Sequence, residues 1–255
     1  MALLRIDGLT KRFGGVTALS DVSCTVERGA IVGVIGPNGA GKTTLFNCIT
    51  GVLRPEAGRI QFGRNQEEEL VGLAPHHVAE CGIARTFQNI RLFANLSVLE
   101  NVMLGTYIRT TTQLWDALVR WRAARRETRW MEERAMGLLQ WLGLAEQAGQ
   151  TASNLPYGLQ RRLELARALA SDPELLLLDE PAAGLTAQER QQLLTFLREL
   201  KTQGRTILLI EHDMQVIMPV SDWVVVLDYG AKIAEGPPAA ILRDPRVIEA
   251  YLGQQ

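Results

Sequence analysis

The sequence predicts an α/β fold: a mostly parallel sheet with flanking helices, an antiparallel β-rich flank and an inserted helical subdomain. Three observations carry that expectation. The apolar runs "AIVGVIG" (30–36), "LLLLD" (175–179), "TILLIE" (206–211) and "WVVVLD" (223–228) are continuous rather than alternating, as suits strands buried on both faces of a parallel sheet. Segments of helical character, roughly 187–203 and 213–221, separate the later runs, the alternation that crossover connections produce. The early stretches "LLRIDGL", "VSCTVERG" and "GRIQFG" instead alternate and are bounded by glycine, as antiparallel strands are.

In chain order, "AIVGVIG" leads into a glycine-rich loop and then "KTTLFNCITGV", where Leu45, Phe46 and Ile49 suit one helix face. Residues 97–150 carry no strand pattern and read as helices. Within them "QLWDALVRWRAARRETRWMEERAMGLLQWLGL" holds four of the five tryptophans and is rich in arginine. Next comes "NLPYGLQRRLELAR", in which Pro156 pre-sets a first turn and Leu159, Leu163 and Ala166 recur at helical spacing. After Gly236, "PPAAILRDPRVIEAYLG" reads as two short helices separated by "RDP". The expected division is a catalytic core at 1–90 and 160–236, a helical subdomain at 91–159 and a helical extension at 237–255.

Composition narrows the class. With 47% hydrophobic residues in 255, the chain has ample material for a core. Its 27 basic and 28 acidic residues leave a net charge of -1, so nothing in the global charge attracts nucleic acid, and no nucleic-acid partner is expected. Cys24, Cys48 and Cys81 are odd in number and form no CxxC pair, which argues against a disulfide framework or a zinc site and for a reducing, cytoplasmic compartment. The start lacks an apolar leader region, and every apolar run falls far short of the ~20 residues that span a bilayer, so a soluble chain is expected.

The strongest chemical signal is "GPNGAGKTT", which fits GxxxxGK[ST] between a strand and a helix. The loop of Gly36, Pro37, Asn38, Gly39, Ala40 and Gly41 lets backbone N–H groups converge on phosphate oxygens, and the helix N-terminus opened by Thr43 and Thr44 adds a positive dipole. Lys42 would reach the β- and γ-phosphates and the Thr43 hydroxyl would ligate Mg²⁺, so ATP and Mg²⁺ are the expected cofactors and the core is of the P-loop NTPase kind. Downstream, "LLLLDEP" ends a buried strand in two carboxylates. Asp179 is suited to hold Mg²⁺ through water, and Glu180 to polarise an attacking water as general base, a pairing that favours hydrolysis over transfer to another substrate.

The order "GPNGAGKTT", "RTFQ", "LPYGLQRR", "LLLLDEP" and "EHD" resembles the nucleotide-binding subunit of an ABC transporter over nearly the whole chain. The resemblance implies an ABC ATPase fold and further site residues. Phe13 matches the aromatic that stacks on adenine, with Val16 beside it as a nucleotide contact. Gln88 matches the glutamine that reaches Mg²⁺ and the attacking water and couples to the membrane partner. His212 matches the switch histidine at the γ-phosphate, whereas His76 and His77 have no comparable setting and read as solvated loop residues. Thr186 stands where the family commonly has Asp.

"ARTFQNIRLFANLSVLENVMLG", the Trp/Arg-rich insertion and "DPRVIEAYLG" narrow the resemblance to the LivG-type ATPases of branched-chain amino-acid importers. ATPases for urea or amide-like solutes and for lipopolysaccharide export share parts of this pattern. The implied partners are a second ABC ATPase subunit, in a heterodimer or a homodimer, integral-membrane permeases, and a periplasmic solute-binding protein acting indirectly; the implied place is the cytoplasmic face of the membrane. In the insertion, Leu114, Leu118 and Trp121 share one helical face while Arg120, Arg122, Arg125, Arg126 and Arg129 spread over the rest. Two readings stay open there: an exposed basic helix packed on its own subdomain, or a surface for the permease or anionic headgroups.

The family's LSGGQ signature appears as Leu155-Pro156-Tyr157-Gly158-Leu159, without its serine and glutamine. In the resemblance this loop caps the γ-phosphate held by the opposite subunit, so Gly158 and the helix dipole would act in trans. Pro156 offers neither hydroxyl nor N–H. A catalytically weak, nucleotide-sensing subunit is therefore one rival reading. Others are a soluble ABC ATPase of translation or DNA repair, disfavoured by the single cassette, and a small-molecule kinase, disfavoured by the carboxylate pair and His212.

Overall fold

The computed structural model describes residues 1–63, 67–109 and 121–252, with side chains undescribed at 109, 121–124 and 252. The chain divides into two compact units: Met1–Arg85, Glu174–Ala183 and Ala187–Gln255 form one, Thr86–Pro173 and Gly184–Thr186 the other.

The first unit contains two sheets. β1 (Ala2–Phe13), β2 (Val16–Glu27), β4 (Ala57–Phe62) and β5 (Glu68–Glu69) make an antiparallel sheet in the order β2-β1-β4-β5. Its alternating sequence buries Leu4, Ile6, Leu9, Val22, Cys24 and Ile60 on one face. The six-stranded sheet runs β10-β9-β3-β8-β7-β6, from β3 (Ile31–Ile35), β6 (Ile83–Arg85), β7 (Leu175–Asp179), β8 (Thr206–Ile210), β9 (Trp223–Asp228) and β10 (Ala231–Gly236). All its pairings are parallel except β9 with β10. β3, β7 and β8 are buried at every residue, which is why they read as unbroken apolar runs.

β3 lies between β8 and β9, so connections leave it in both directions and its carboxyl end is a switch point, where α/β sheets bind ligands. Helix α1 (Lys42–Ile49) follows immediately and sends Leu45, Phe46 and Ile49 into the core shared with both sheets. Apolar burial at ~25 cal/mol per Å² makes such a core the main stabilising term and fixes the loop ahead of α1 by its two ends. Sequence periodicity missed β10, β6 and β5, which are short or polar, and also α2 (Pro75–Glu80), seeded by Pro75 in its first turn. His76 and His77 therefore lie on a helix rather than in a loop; both remain exposed, and His77 Nδ1 is 3.0 Å from Glu80.

Among the described residues the second unit is helical: α3 (Val98–Gly105), α4 (Trp121–Trp141) and α5 (Tyr157–Ala170), with 3-10 turns at Tyr107–Arg109, Ala145–Gln147 and Ala152–Asn154. α3 starts in a capping box, Ser97 accepting from Glu100 N while Glu100 accepts from Ser97 N. Gly105 lets α3 approach α5 closely, because a Cβ there would stand 2.1 Å from Arg167 O. Buried Asn101 ties the preceding loop, donating to Phe93 O (3.0 Å) and Ser97 O (2.9 Å) and accepting from Phe93 N (2.9 Å). Of the amphipathic insertion, Leu114, Leu118 and Arg120 lie outside the described residues; Arg125, Arg126 and Arg129 are exposed on α4. The first unit resumes in α6 (Ala187–Thr202) and α7 (Met214–Ile217) and ends in α8 (Pro238–Ile241) and α9 (Pro245–Leu252), the two short helices read from the sequence.

Candidate functional site

The loop from Gly36 to Gly41 leaves the end of β3 with φ of 152° at Gly36, 82° at Gly39 and 102° at Gly41. Gly41 is required twice over. Its backbone is left-handed, and a Cβ would stand 2.5 Å from Ala18 O, a contact only glycine permits. The β9–β10 turn presses on the same place: Gly230 N donates to Ala40 O (3.2 Å), and Ser20 N to Gly230 O (2.8 Å). Asn38, Gly39 and Thr43 are exposed, while Lys42 is buried and donates to Gly36 O (2.6 Å) and Pro37 O (2.9 Å). Burial lowers the Lys42 pKa, and the Glu180 and Asp179 carboxylates work against that shift. The lysine is thus curled inside its own loop, with an exposed hydroxyl and a cluster of backbone donors beside it, a cradle that fits a polyphosphate.

Asp179 and Glu180 arrive at the same sheet edge because β7 runs parallel to β8, with Asp179 opposite Ile210. Buried Asp179 accepts from Arg85 Nη2 at 2.8 Å, and Arg85 also donates to Asn47 Oδ1 (2.7 Å) and Thr50 Oγ1 (3.2 Å) on and just after α1. Arg85 therefore cross-links β6, β7 and α1 around the metal-binding candidate. Glu180 has φ +48°, costly for a non-glycine residue by roughly 1–3 kcal/mol. The fold holds it there: Glu180 N donates to Ile210 O (2.9 Å) and Ala183 N to Glu180 O (3.2 Å). His212, largely exposed, brings Nδ1 to 3.7 Å from Glu180 Oε1. Mg²⁺ demands few protein ligands because it keeps waters and phosphate oxygens, so Thr43 and Asp179 would suffice as a partial shell. Among the described residues no group of three or more His, Cys, Asp or Glu forms a closed metal cage.

Glu211, buried between the β8 strand and His212, accepts from Ala182 N at 2.8 Å and so pins the turn after Glu180. Burial raises its pKa, against the opposing hydrogen bond from Ala182. On the other side, Tyr251 of α9 buries its hydroxyl near the Gly36 backbone, and burial pushes its pKa up to about 12. Phe13 closes the β1–β2 hairpin opposite Val16; both are exposed, and Lys11 Nζ lies 5.3 Å from the Phe13 ring centroid. An exposed ring beside a cation is a surface suited to a flat base.

Thus Lys42, Thr43, Asp179, Glu180 and His212 all belong to the first unit, as do Phe13 and Val16, whereas Gln88 and Gly158 belong to the second. Gln88 is exposed and lies in neither helix nor strand. Pro156 occupies the N-cap of α5 rather than its first turn, with ψ 150° and no side-chain cap; Tyr157 is half-exposed and Gly158 buried. Arg85, Glu211, Arg161 and Glu164 were not singled out in the sequence. The signal available for the last two was an Arg–Glu pair at i,i+3 on the buried face of α5.

The sequence pattern described as "ABC transporter" matches residues 19–183, and that described as "Branched-chain amino acid ATP-binding cassette transporter" matches residues 231–255. The "High-affinity branched-chain amino acid transport ATP-binding protein LivG" of Salmonella typhimurium is 45% identical over 253 residues, 99% of this chain and 98% of that protein. BraF of Pseudomonas aeruginosa, of the same description, is 44% identical over 253 residues, with 99% and 98% covered. The probable LivG of Archaeoglobus fulgidus is 35% identical over 255 residues, with 100% and 97% covered. A solved structure, the ADP conformation of an ATP-binding cassette of an ABC transporter, superposes with TM-score 0.84 at 32% identity, covering 99% of each chain. A nucleotide-free cassette from an ABC transporter gives 0.83 at 31%, covering 98% of this chain and 99% of that one.

Proposed function

The chain belongs to the ABC transporter family, as an ATP-binding and ATP-hydrolysing cassette, and from that premise we propose that it energises uptake of branched-chain or closely related amino acids through separate integral-membrane permeases. The observation that carries the cargo is the match of residues 231–255 to the branched-chain amino acid pattern, outside the stretch that any ABC cassette matches. A peripheral seat on the cytoplasmic face of the membrane goes with this reading. Among the described residues no helix is long and apolar enough to cross a membrane.

In the proposed mechanism the phosphates lie along the Gly36–Thr44 loop, with the adenine on Phe13 and Val16. Lys42 exchanges its carbonyl partners in the loop, Gly36 O and Pro37 O, for β- and γ-phosphate oxygens. The Thr43 hydroxyl, Gln88 and, through water, Asp179 would hold Mg²⁺, which when bound would supply charge neutralisation to the phosphates. Glu180 orients a water in line with the γ-phosphorus and takes its proton as the water oxygen bonds to phosphorus and the bridging β–γ P–O bond breaks. Support for that role comes from the backbone of Glu180, held against its own preference, and from His212 at its side. His212 then faces the γ-phosphate, where charge accumulates. The partner cassette contributes its signature loop to this site, and Gly158 with the α5 dipole is offered to the partner's nucleotide.

The test is reconstitution with candidate permeases and a second cassette. Valine-, leucine- or isoleucine-loaded binding protein is expected to stimulate ATPase several-fold. Stimulation by urea or lipopolysaccharide instead would overturn the cargo, and absence of hydrolysis in every pairing would favour a nucleotide sensor.

A further inference from the structure

The second unit contains a buried ion pair that neither the phosphate chemistry nor the core requires. Arg161 and Glu164 lie one turn apart on α5 and are only 7% and 2% exposed. Arg161 Nη1 donates to Phe87 O at 2.8 Å, Nη2 donates to Gln88 O, and Nε donates to the Tyr157 hydroxyl at 3.2 Å. Glu164 Oε1 accepts from both Phe87 N and Arg91 N at 3.3 Å, and its Oε2 is 3.3 Å from Arg161 Nη1. Residues 87–91 lie in neither helix nor strand, so these side chains do for that backbone what a neighbouring strand would otherwise do. Two donors meet two successive carbonyls, and one carboxylate oxygen meets two N–H groups four residues apart. That is a positional code rather than a generic charge pair.

The same arginine reaches the signature. Its guanidinium carbon is 5.4 Å from the Tyr157 ring centroid, and the same ring closely approaches Gly184, where a Cβ would stand 2.9 Å from Tyr157 Cε1. Gly184 has φ +74° and belongs to the loop that follows the Asp179-Glu180 pair in sequence. All of these residues lie in one compact unit.

We propose that Arg161 and Glu164 are positioning residues: a latch that locks the backbone carrying Gln88 to the first turn of α5, so that the Gln88 loop and the signature loop move as one body. This rests on the reading of Gln88 and the signature loop given above. The latch transmits through directed hydrogen bonds, and a point charge cannot replace it. Arg is chosen over Lys because its planar fork spans four acceptors at once.

The experiment uses the full chain, assembled with its partner cassette and permeases, and measures steady-state ATPase together with amide exchange at Phe87 and Arg91. In Arg161→Lys, kcat is expected to fall at least 10-fold with KM for Mg·ATP changed less than 3-fold, and exchange at both amides to rise at least 10-fold. Glu164→Gln keeps an acceptor for the two amides but turns an NH₂ group toward Arg161, and is expected to lower kcat less. The swapped Arg161→Glu, Glu164→Arg pair separates latch from ion pair: a simple ion pair is restored by the swap, whereas the latch is not, because a carboxylate then faces the Phe87 and Gln88 carbonyls. Recovery of kcat in the swap overturns the proposal, as does an unchanged kcat and exchange in a folded Arg161→Lys protein. Lys42→Ala, run alongside, must abolish Mg·ATP binding; if it does not, the nucleotide-site reading fails, whereas failure of the Arg161 variants alone removes only the latch.

Discussion

Glu180 is half-buried and Glu211 buried, and the two carboxylates are opposite in need. As the proposed general base Glu180 must be ionised to take a proton, and general-base catalysis contributes about 10²–10⁴-fold. Glu180→Gln is therefore expected to lower kcat at least ~100-fold with Mg·ATP affinity retained, checked by phosphate release and nucleotide binding. Glu211 serves through its oxygen as an acceptor for Ala182 N and has its pKa raised by burial. A carboxyl whose folded pKa lies above its unfolded value binds more protons when folded, so its ionisation costs stability as pH rises through that window. Glu211→Gln keeps the acceptor and removes the cost. The variant is expected to melt above the parent at pH 8, with the gap closing as pH falls toward 5; a constant gap would sink the idea. The sequence showed Glu180 at the end of an apolar strand. It did not show Glu211 as special, because its partner is Ala182, on another strand's turn.

Among the elements, the phosphate loop was the most legible, since its backbone needs glycine at fixed offsets regardless of what surrounds it. The surroundings add a further demand at Gly41, through Ala18 O. Gly41→Ala combines left-handed strain of roughly 1–3 kcal/mol with a backbone collision, and is expected to cost at least ~2 kcal/mol in urea unfolding and to weaken Mg·ATP binding. The signature helix α5 was legible as a helix from Leu159, Leu163 and Ala166, but its start was placed one residue early, because Pro156 takes the extended N-cap conformation. β10 was not legible. Its "AKIAEG" carries Lys232 and Glu235 and breaks any apolar run, an edge strand defined by pairing with β9 across a two-residue turn at Tyr229 and Gly230, both with positive φ.

At the scale of the whole molecule, the proposed mechanism lets the degenerate signature act only through a second cassette. A hydrogen bond to a charged group is worth about 1.5–3 kcal/mol, so the missing serine could slow the site that it caps by roughly 10- to 100-fold. Restoring Pro156→Ser with Leu159→Gln is expected to raise ATPase more in a homodimer, where both sites depend on this loop, than in a heterodimer. Absent gains would mean that the loop tolerates its substitutions, and equal gains that the cap does not act in trans. Stability should hardly move: a serine cap adds about 1 kcal/mol, and losing the proline's restriction of the unfolded chain takes back ~0.4–1 kcal/mol. A rate gain would thus report the phosphate contact and not a firmer helix.

Fold class, phosphate loop, carboxylate pair and the two C-terminal helices follow from the chain read by itself, because each is dictated by local rules: glycine conformations, apolar runs and helical spacing. The cross-links that hold the site follow from none of these. Arg85 meets Asp179 across 94 residues and Arg161 meets Phe87 across 74, in contacts whose partners share no spacing or pattern. Only the tertiary structure decides them, because they arise where buried charges need partners, and burial is set by how the sheets and helices close over one another.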